Sequence, residues 1–391
     1  MKSIKDLFVD AKDAAELMVD LAFASILYDD REMARELTDI EDQLNESVFE
    51  LRKLCILAAR SPEDADFFAS ILQIASAMER IGDAAEDIAR VVLKRLGVPF
   101  DLRRDLLHAD EVVGRIPLGG ESLFSGRSLL ELAIPRHTGL WLIAIKRDLD
   151  WIIDPGAEHV IHDADILYVK GSEEGLAGLK GMLGMDDGQA EAQMWEPRSN
   201  LEVAVDLVVE MKNVTEVAVG LAYSAIILND KSLAAEVVSL EDRTDQMKEE
   251  LEGWVLAAGR TELDPFDLRG LLHIGEAVER IADAAQSMVW LVERDEDLHP
   301  IVAEALAESD EVVAQFVVGE GAFLAGRSLG ETQLRTETGM SVLAVERGQR
   351  WRYRPRKSFA MAPGDRLLAQ GPEDGAELLA GLAAAPAHES A

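Results

Sequence analysis

The chain has 391 residues, 48 % apolar and 29 % charged, enough for two to four domains with proper cores. Its 74 acidic residues against 39 Lys and Arg leave a formal net charge of −35, which argues against any broad nucleic-acid or anionic-membrane surface. The same carboxylate excess suits a salt-loaded, halophile-like cytoplasm, with an ordinary acidic protein as the plainer alternative.

Residues 1–97 read as three long helices. In the third, Phe67, Ile71, Ile74, Met78, Ile81, Ala85, Ile88 and Val92 alternate spacings of four and three, the stripe of a helix in a bundle. Met33, Leu37, Ile40, Leu44, Val48 and Leu51 give the helix before it a similar stripe, and a short loop makes the two antiparallel neighbours. Cys55 falls on that stripe; a lone cysteine cannot form an internal disulfide, and here it reads as a small core residue.

From 105 to 184 the period drops to two. The stretches 140–147, 150–155 and 164–172 predict short strands, and "EEGLAGLKGML" predicts a closing helix. Residues 185–200 carry Gly and Pro without a period and read as a linker. The pattern then begins again: a helical bundle over 201–297, an α+β domain over 305–383, and a tail, 384–391, expected to be disordered. Sliding the chain by 200 residues aligns roughly three positions in ten without a gap, so the chain is a tandem duplication. The fold class is therefore α+β multidomain, two three-helix bundles alternating with two small α+β domains. We expect the bundles to lie side by side and the α+β domains to pair within one chain, about a pseudo-twofold. The longest apolar run, Val217 to Leu228, is well short of the ~20 residues that span a bilayer. With no signal peptide at its start, the chain is expected to be soluble and cytoplasmic, without direct insertion into a membrane.

The strongest repeated words are Glu79-Arg80-Ile81-Gly82-Asp83-Ala84-Ala85 and Glu279-Arg280-Ile281-Ala282-Asp283-Ala284-Ala285. With these the helical units resemble the PhoU family of phosphate-uptake regulators. "GRSLLELAIPRHTGLWLIAIKR" with "DADILYVKGSEEGL", and "GRSLGETQLRTETGMSVLAVERG" with "PGDRLLAQGPEDG", resemble the C-terminal domain of TrkA-type, potassium-regulating (RCK) proteins. The first α+β copy departs from that pattern at Ala164-Asp165, where Gly-Asp is expected, and it lacks the Gly after Arg147. The glycine fingerprint of a nucleotide-binding half is absent, so neither NAD nor ATP is expected.

Glu79 and Asp83 stand one turn apart on a helix, as do Glu279 and Asp283, and each pair places two carboxylates side by side. The stripe puts them away from the bundle seam. Acids without His or Cys suit hard cations, Mg²⁺, Mn²⁺ or Ca²⁺, and can take iron. The PhoU resemblance implies such a metal site. The competing reading is a solvated face ion-paired by Arg80 and Arg280. Glu41-Asp42 and Glu241-Asp242 also recur and would add ligands or face solvent. His159 and His162 lack a carboxylate framework, His108 and His273 are isolated, and Trp141, Trp151 and Trp351 read as packing.

Together the resemblances imply a non-enzymatic regulator of a membrane cation transporter or channel, potassium first, peripheral to the membrane through that partner. Its α+β domains would sense an ion or a small ligand such as cyclic di-AMP. Control of phosphate uptake, or of a magnesium or other divalent-cation transporter, is the rival. A metal-dependent hydrolase or an ion-storage protein is the rival from another class, and a hydrolase would need a cleft and a general base that the sequence does not show. No nucleic-acid partner is expected, and a homodimer is left open.

Overall fold

A computed structural model describes residues 2–106, 112–119, 122–132, 134, 138, 140–147, 150–153, 155–156, 158–171, 173–185, 199–260, 265–266, 268–294, 300–307, 311–348, 350–353, 355 and 357–384. The linker at 186–198 and the tail from 385 lie outside the described residues, as does His108. The chain forms two compact units, each assembled from both halves of the sequence: residues 1–109 with 193–309, and residues 110–192 with 310–391.

The first unit is helical. In the first copy α1 spans Ile4–Tyr28, α2 Arg31–Ala58, α3 Pro62–Leu93 and α4 Phe100–Leu106. In the second, α6 spans Asn200–Leu228, α7 Lys231–Ala258, α8 Arg269–Glu293 and α9 Pro300–Ala307. Local chemistry sets the ends. Ser3 and Ser199 close capping boxes at the starts of α1 and α6, and Asp30 and Asp230 cap α2 and α7 through their side chains. Asp29 and Asn229 take the left-handed conformation that ends α1 and α6.

The expected stripes are the core. Met78, Ile81, Ala85 and Ile88 on α3, and Val278, Ile281, Ala285 and Met288 on α8, are buried. Cys55 is fully buried, and burial raises its thiol to about 11, so it stays protonated and inert at neutral pH. The apolar helix α6 passes a length-and-composition test for a membrane span, but 72 % of that window is buried inside the protein, as in a core helix.

The bundles do lie side by side, with α3 packed along α8. Their contact includes two short helices that the period analysis missed. Helix α4 of the first copy rests on α6 of the second as well as on α1, and α9 of the second copy rests on α1 as well as on α6. Two buried lysines reinforce the exchange. Lys12 pairs with Glu16 at 2.6 Å and lies 5.1 Å from the centroid of the Tyr223 ring. Its repeat equivalent Lys212 pairs with Glu216 at 2.5 Å and lies 5.4 Å from the Phe23 ring. Each cation is thus satisfied by a carboxylate on its own helix and an aromatic face on the other copy.

The second unit holds two four-stranded antiparallel sheets. In the first, β1 (Val112–Pro117), β2 (Trp141–Arg147), β3 (Asp150–Ile153) and β4 (Ile166–Gly171) take the order β1-β4-β2-β3, with α5 (Glu173–Met182) against β1 and β4. In the second, β5 (Glu311–Val317), β6 (Ser341–Arg347), β7 (Arg350–Tyr353) and β8 (Arg366–Pro372) repeat the order, followed by α10 (Glu373–Ala383). Even the bulge recurs, between Leu142 and Ala144 and between Val342 and Ala344. Each sheet has its own core, around Ile145, Leu167 and Leu179 in one and around Val345, Leu367 and Leu379 in the other. The period-two reading found β2, β3 and β4 but not β1, because Gly114 interrupts its apolar alternation. A Cβ there would lie 2.2 Å from the end of the Leu176 side chain of α5, which would have to shift to admit it.

Candidate functional site

The repeated acids face α2 and α7 of their own bundles, with Glu79, Glu279 and Asp283 half-buried there and Asp83 exposed. Glu79 is half-buried and receives both terminal nitrogens of Arg52 on α2. Asp83, one turn on, is exposed and lies close enough to Glu41, also on α2, for the two carboxyls to feel each other. Crowding by the surrounding chain, and then the charges of Glu79 and Asp87, push the Asp83 carboxyl upward.

In the second copy Glu252 stands at the position equivalent to Arg52, and Lys248, one turn earlier, takes its place opposite the motif, 3.3 Å from Glu279 and 3.2 Å from Glu276. Asp283 lies beside Glu241, which accepts a hydrogen bond from the side-chain amide of Gln286 at 2.6 Å. Burial, contact with Asp283 and the charges of Asp245, Asp283 and Asp242 push Glu241 up to about 7. Glu279 is raised too, first by burial and then by Asp283, against the pull of Lys248. The recurring Glu41 and Glu241 therefore belong to the same constellation as the motif, as their repetition suggested. Asp245, which shares it, carried no signal in the sequence beyond its charge.

The Arg of the motif does not pair with the neighbouring acids of its own helix. Arg280 reaches Asp87 on α3 of the first copy at 2.5 Å, and Arg80 donates reciprocally to the hydroxyl of Ser287 on α8. Burial works against the Asp87 charge, but the hydrogen bonds from Arg280 and Arg90 outweigh it and hold its carboxyl below the usual range. Gln73 adds a hydrogen bond to the Ser287 carbonyl at 3.2 Å. At the other end of α8, its uncapped start, the Gly270 N–H donates to the carbonyls of Leu96 and Gly97 in the first copy. The repeated motif thus does two things: its acids face the second helix of their own bundle, and its Arg joins the two bundles.

The donor chemistry suits a hard divalent ion, since crowded carboxylates are relieved by a cation. The arrangement does not close around one: among the described residues no three carboxylate, His or Cys side chains are placed to hold a metal. His159 is half-exposed, and His162 and His273 are exposed. Trp151 packs on Tyr168 with ring centroids 5.1 Å apart, while the side chains of Trp141 and Trp351 lie outside those described.

In the α+β domains the Gly-Asp position is structural. Asp165, fully buried, accepts two hydrogen bonds from Arg147 at 2.8 Å and one from the His162 N–H at 2.8 Å. Asp365 repeats this with Arg347 at 2.7 and 2.6 Å and the Ala362 N–H at 2.8 Å. Each Arg also donates to the backbone carbonyl at 160 or 360, which ties the loop before the last strand to β2 or β6.

The PhoU domain family matches residues 8–92 and 208–292, and the TrkA-C domain family matches 113–184 and 313–383. The Ktr system potassium uptake protein C of Bacillus subtilis (strain 168) is 38 % identical over 68 residues, 17 % of this chain. The match covers 31 % of that protein, so the chain spans about a third of the curated relative's length. PhoU from Pseudomonas aeruginosa is similar with a TM-score of 0.40 and 16 % identity, covering 74 % of this chain and 93 % of its own. The phosphate transport system regulatory protein PhoU from Streptococcus pneumoniae gives 0.40 and 15 %, covering 76 % and 96 %. The RCK_C domain dimer of S. agalactiae BusR, in complex with c-di-AMP, is 27 % identical with a TM-score of 0.18, covering 19 % of this chain and 90 % of its own. With two matches to each family, in alternation and at the duplicated positions, the chain belongs among tandem-duplicated proteins of PhoU and TrkA-C domains.

Proposed function

We propose that this protein is a cytoplasmic, non-enzymatic regulator that docks on a membrane cation transporter or channel, potassium first, and modulates it. The observation that carries this reading is the pair of TrkA-C domains, supported by the local identity to a potassium uptake protein. The α+β domains would receive the signal, an ion or a small ligand such as cyclic di-AMP, and the joined bundles would relay it. The test is rubidium or potassium uptake in cells with and without the gene. A change in uptake, restored by the wild-type gene, is expected; unchanged cation uptake would overturn the reading.

The two PhoU domains favour a second reading, control of phosphate uptake. Phosphate uptake measured in the same cells separates the two.

Divalent-cation binding by Glu79, Asp83, Glu279 and Asp283 is a distinct proposal, supported by the recurrence of all four acids and by the burial, with neighbouring acids second, that raises Asp83 and Glu279. Calorimetry with Mn²⁺ or Mg²⁺ should give affinities in the micromolar-to-millimolar range of exposed carboxylate sites. The fourfold amide variant should lose that heat. No heat from the wild type would leave the acids as an ion-paired face.

A further inference from the structure

The second α+β domain carries cations and aromatic rings that the first lacks. Val345 and Arg352 stand opposite one another across β6 and β7, and Ile145 and Ile152 take that register in the first copy. Ile152 is half-buried against the core of its sheet, whereas Arg352 is exposed, its guanidinium 5.3 Å from the Phe359 ring centroid. Arg347 lies 4.9 Å from the same ring, and Arg327 lies 3.8 Å from the Phe323 ring. The first copy has His159 and Leu123 where these rings stand, and Ala157 in place of Lys357.

The backbone holds these groups together. The N–H groups of Leu329 and Gly330 donate to the carbonyls of Phe359 and Lys357 at 3.0 and 2.7 Å, and the Met361 N–H donates to the Arg327 carbonyl at 2.9 Å. Arg327, Arg352 and Lys357, all exposed, therefore share one rim of the domain. Arg347 is committed to Asp365. Arg327 and Arg352 form no ion pair among the described residues: Glu331 feels the charge of Arg327, but Ser328 holds it. The first copy packs the same fold with an isoleucine at the Arg352 position, so packing does not call for that cation.

We propose that this rim binds an acidic peptide segment of a partner protein, its carboxylates on the guanidinium forks of Arg327 and Arg352, a geometry that arginine matches. Charge selects such a ligand over other anions. A membrane or a nucleic acid is an extended negative surface, and it meets the acids around the rim as well as the rim itself. A lone small anion would make one or two exposed pairs, each of which contributes little. A peptide segment adds several pairs along the rim alone, and with a Debye length of about 8 Å at physiological ionic strength the more distant acids are largely screened.

The test is the fluorescence anisotropy of a labelled peptide of alternating Glu and Ala, titrated with the full chain in 0.15 M KCl, about the physiological ionic strength. About twelve residues reach roughly 40 Å when extended, and the same peptide with Gln for Glu is the uncharged control. The acidic peptide should bind and the control should not. Arg327→Glu with Arg352→Glu should weaken binding at least ~10-fold, because charge-assisted contacts become like-charge ones. Circular dichroism checks that this variant folds, and Arg327→Gln with Arg352→Gln, which only removes charge, should weaken binding ~3-fold or more.

Lys53→Glu with Arg60→Glu makes the same change of net charge on the helical unit and should leave binding within about 2-fold. A wild type that does not bind the acidic peptide would overturn the proposal, as would an equal loss in the helical-unit variant. So would binding of anionic vesicles, duplex DNA or inorganic phosphate that depends on Arg327 and Arg352 when binding of the peptide does not.

Discussion

Ala164 holds a φ of 66°, a left-handed conformation that its counterpart Gly364, at 86°, adopts without cost. An L-residue with a Cβ loses about 1–2 kcal/mol there, partly offset in any glycine variant by the freer unfolded chain. Ala164→Gly should therefore stabilise the first α+β domain by about 0.5–1 kcal/mol, read by urea unfolding. The departure from Gly-Asp was legible in the sequence; that it falls on a left-handed residue was not.

The next residue gives a pH signature. Burial opposes the charge of Asp165, but the Arg147 hydrogen bonds and the His162 N–H more than compensate, and its folded pKa lies below the ordinary value. A depressed carboxyl contributes stability that is present above its unfolded pKa, about 3.9, and lost as pH falls through the folded value. Asp165→Asn should cost about 2 kcal/mol at pH 7, the scale of charge-assisted hydrogen bonds, and the gap to wild type should narrow in strong acid, below the ordinary carboxylate value. Unfolding under both conditions checks the slope; an unchanged gap would remove the ion pair as its cause.

Among the elements, α8 depends most on its neighbour copy. A Cβ on Gly270 would lie 2.0 Å from the Gly97 carbonyl oxygen, a backbone atom that cannot step aside cheaply. Gly270→Ala should destabilise the helical unit by about 2–3 kcal/mol. Gly253, inside α7 with nothing within 4 Å of its Cβ position, is the control: Gly253→Ala should stabilise by about 0.5–1 kcal/mol. Thermal melts of the pair separate the seam from helix propensity.

The long helices and three of the four strands of each sheet were legible because burial imposes periods of 3.6 and 2. Helices α4 and α9 were not, since seven or eight residues hold too few turns for a stripe to show. The motif acids were legible as a recurring pair, but their facing partners on α2 and α7 were not. Which face an acid takes is decided by the bases opposite it, Arg52 and Lys248, and those bases differ between the copies. The same applies to Arg80 and Arg280: their acceptors, Ser287 and Asp87, sit at positions that diverge between the repeats, so no recurring partner marks them.

At the scale of the whole molecule, a net charge of −35 stores self-repulsion that folding brings together. Raising KCl from tens of millimolar to about 1 M shortens the Debye length from tens of ångström to about 3 Å. The melting temperature should climb steeply over that range, followed by calorimetry. A flat profile would mark the charge as ordinary.

The exchange of α4 and α9 between the bundles has a bearing on biosynthesis. The helical unit draws on residues 1–109 and 193–309, so its first half leaves the ribosome while the other half is still to be made. At about 5–20 residues per second, that half waits some 10–40 s with the face of α3 uncovered and α4 without its platform. An α+β domain is synthesised in the interval and completes its own core, so the nascent chain carries a finished module beside an unfinished one. Ribosome profiling with a chaperone pull-down should show occupancy that begins near residue 109 and falls only once α8 and α9 have emerged.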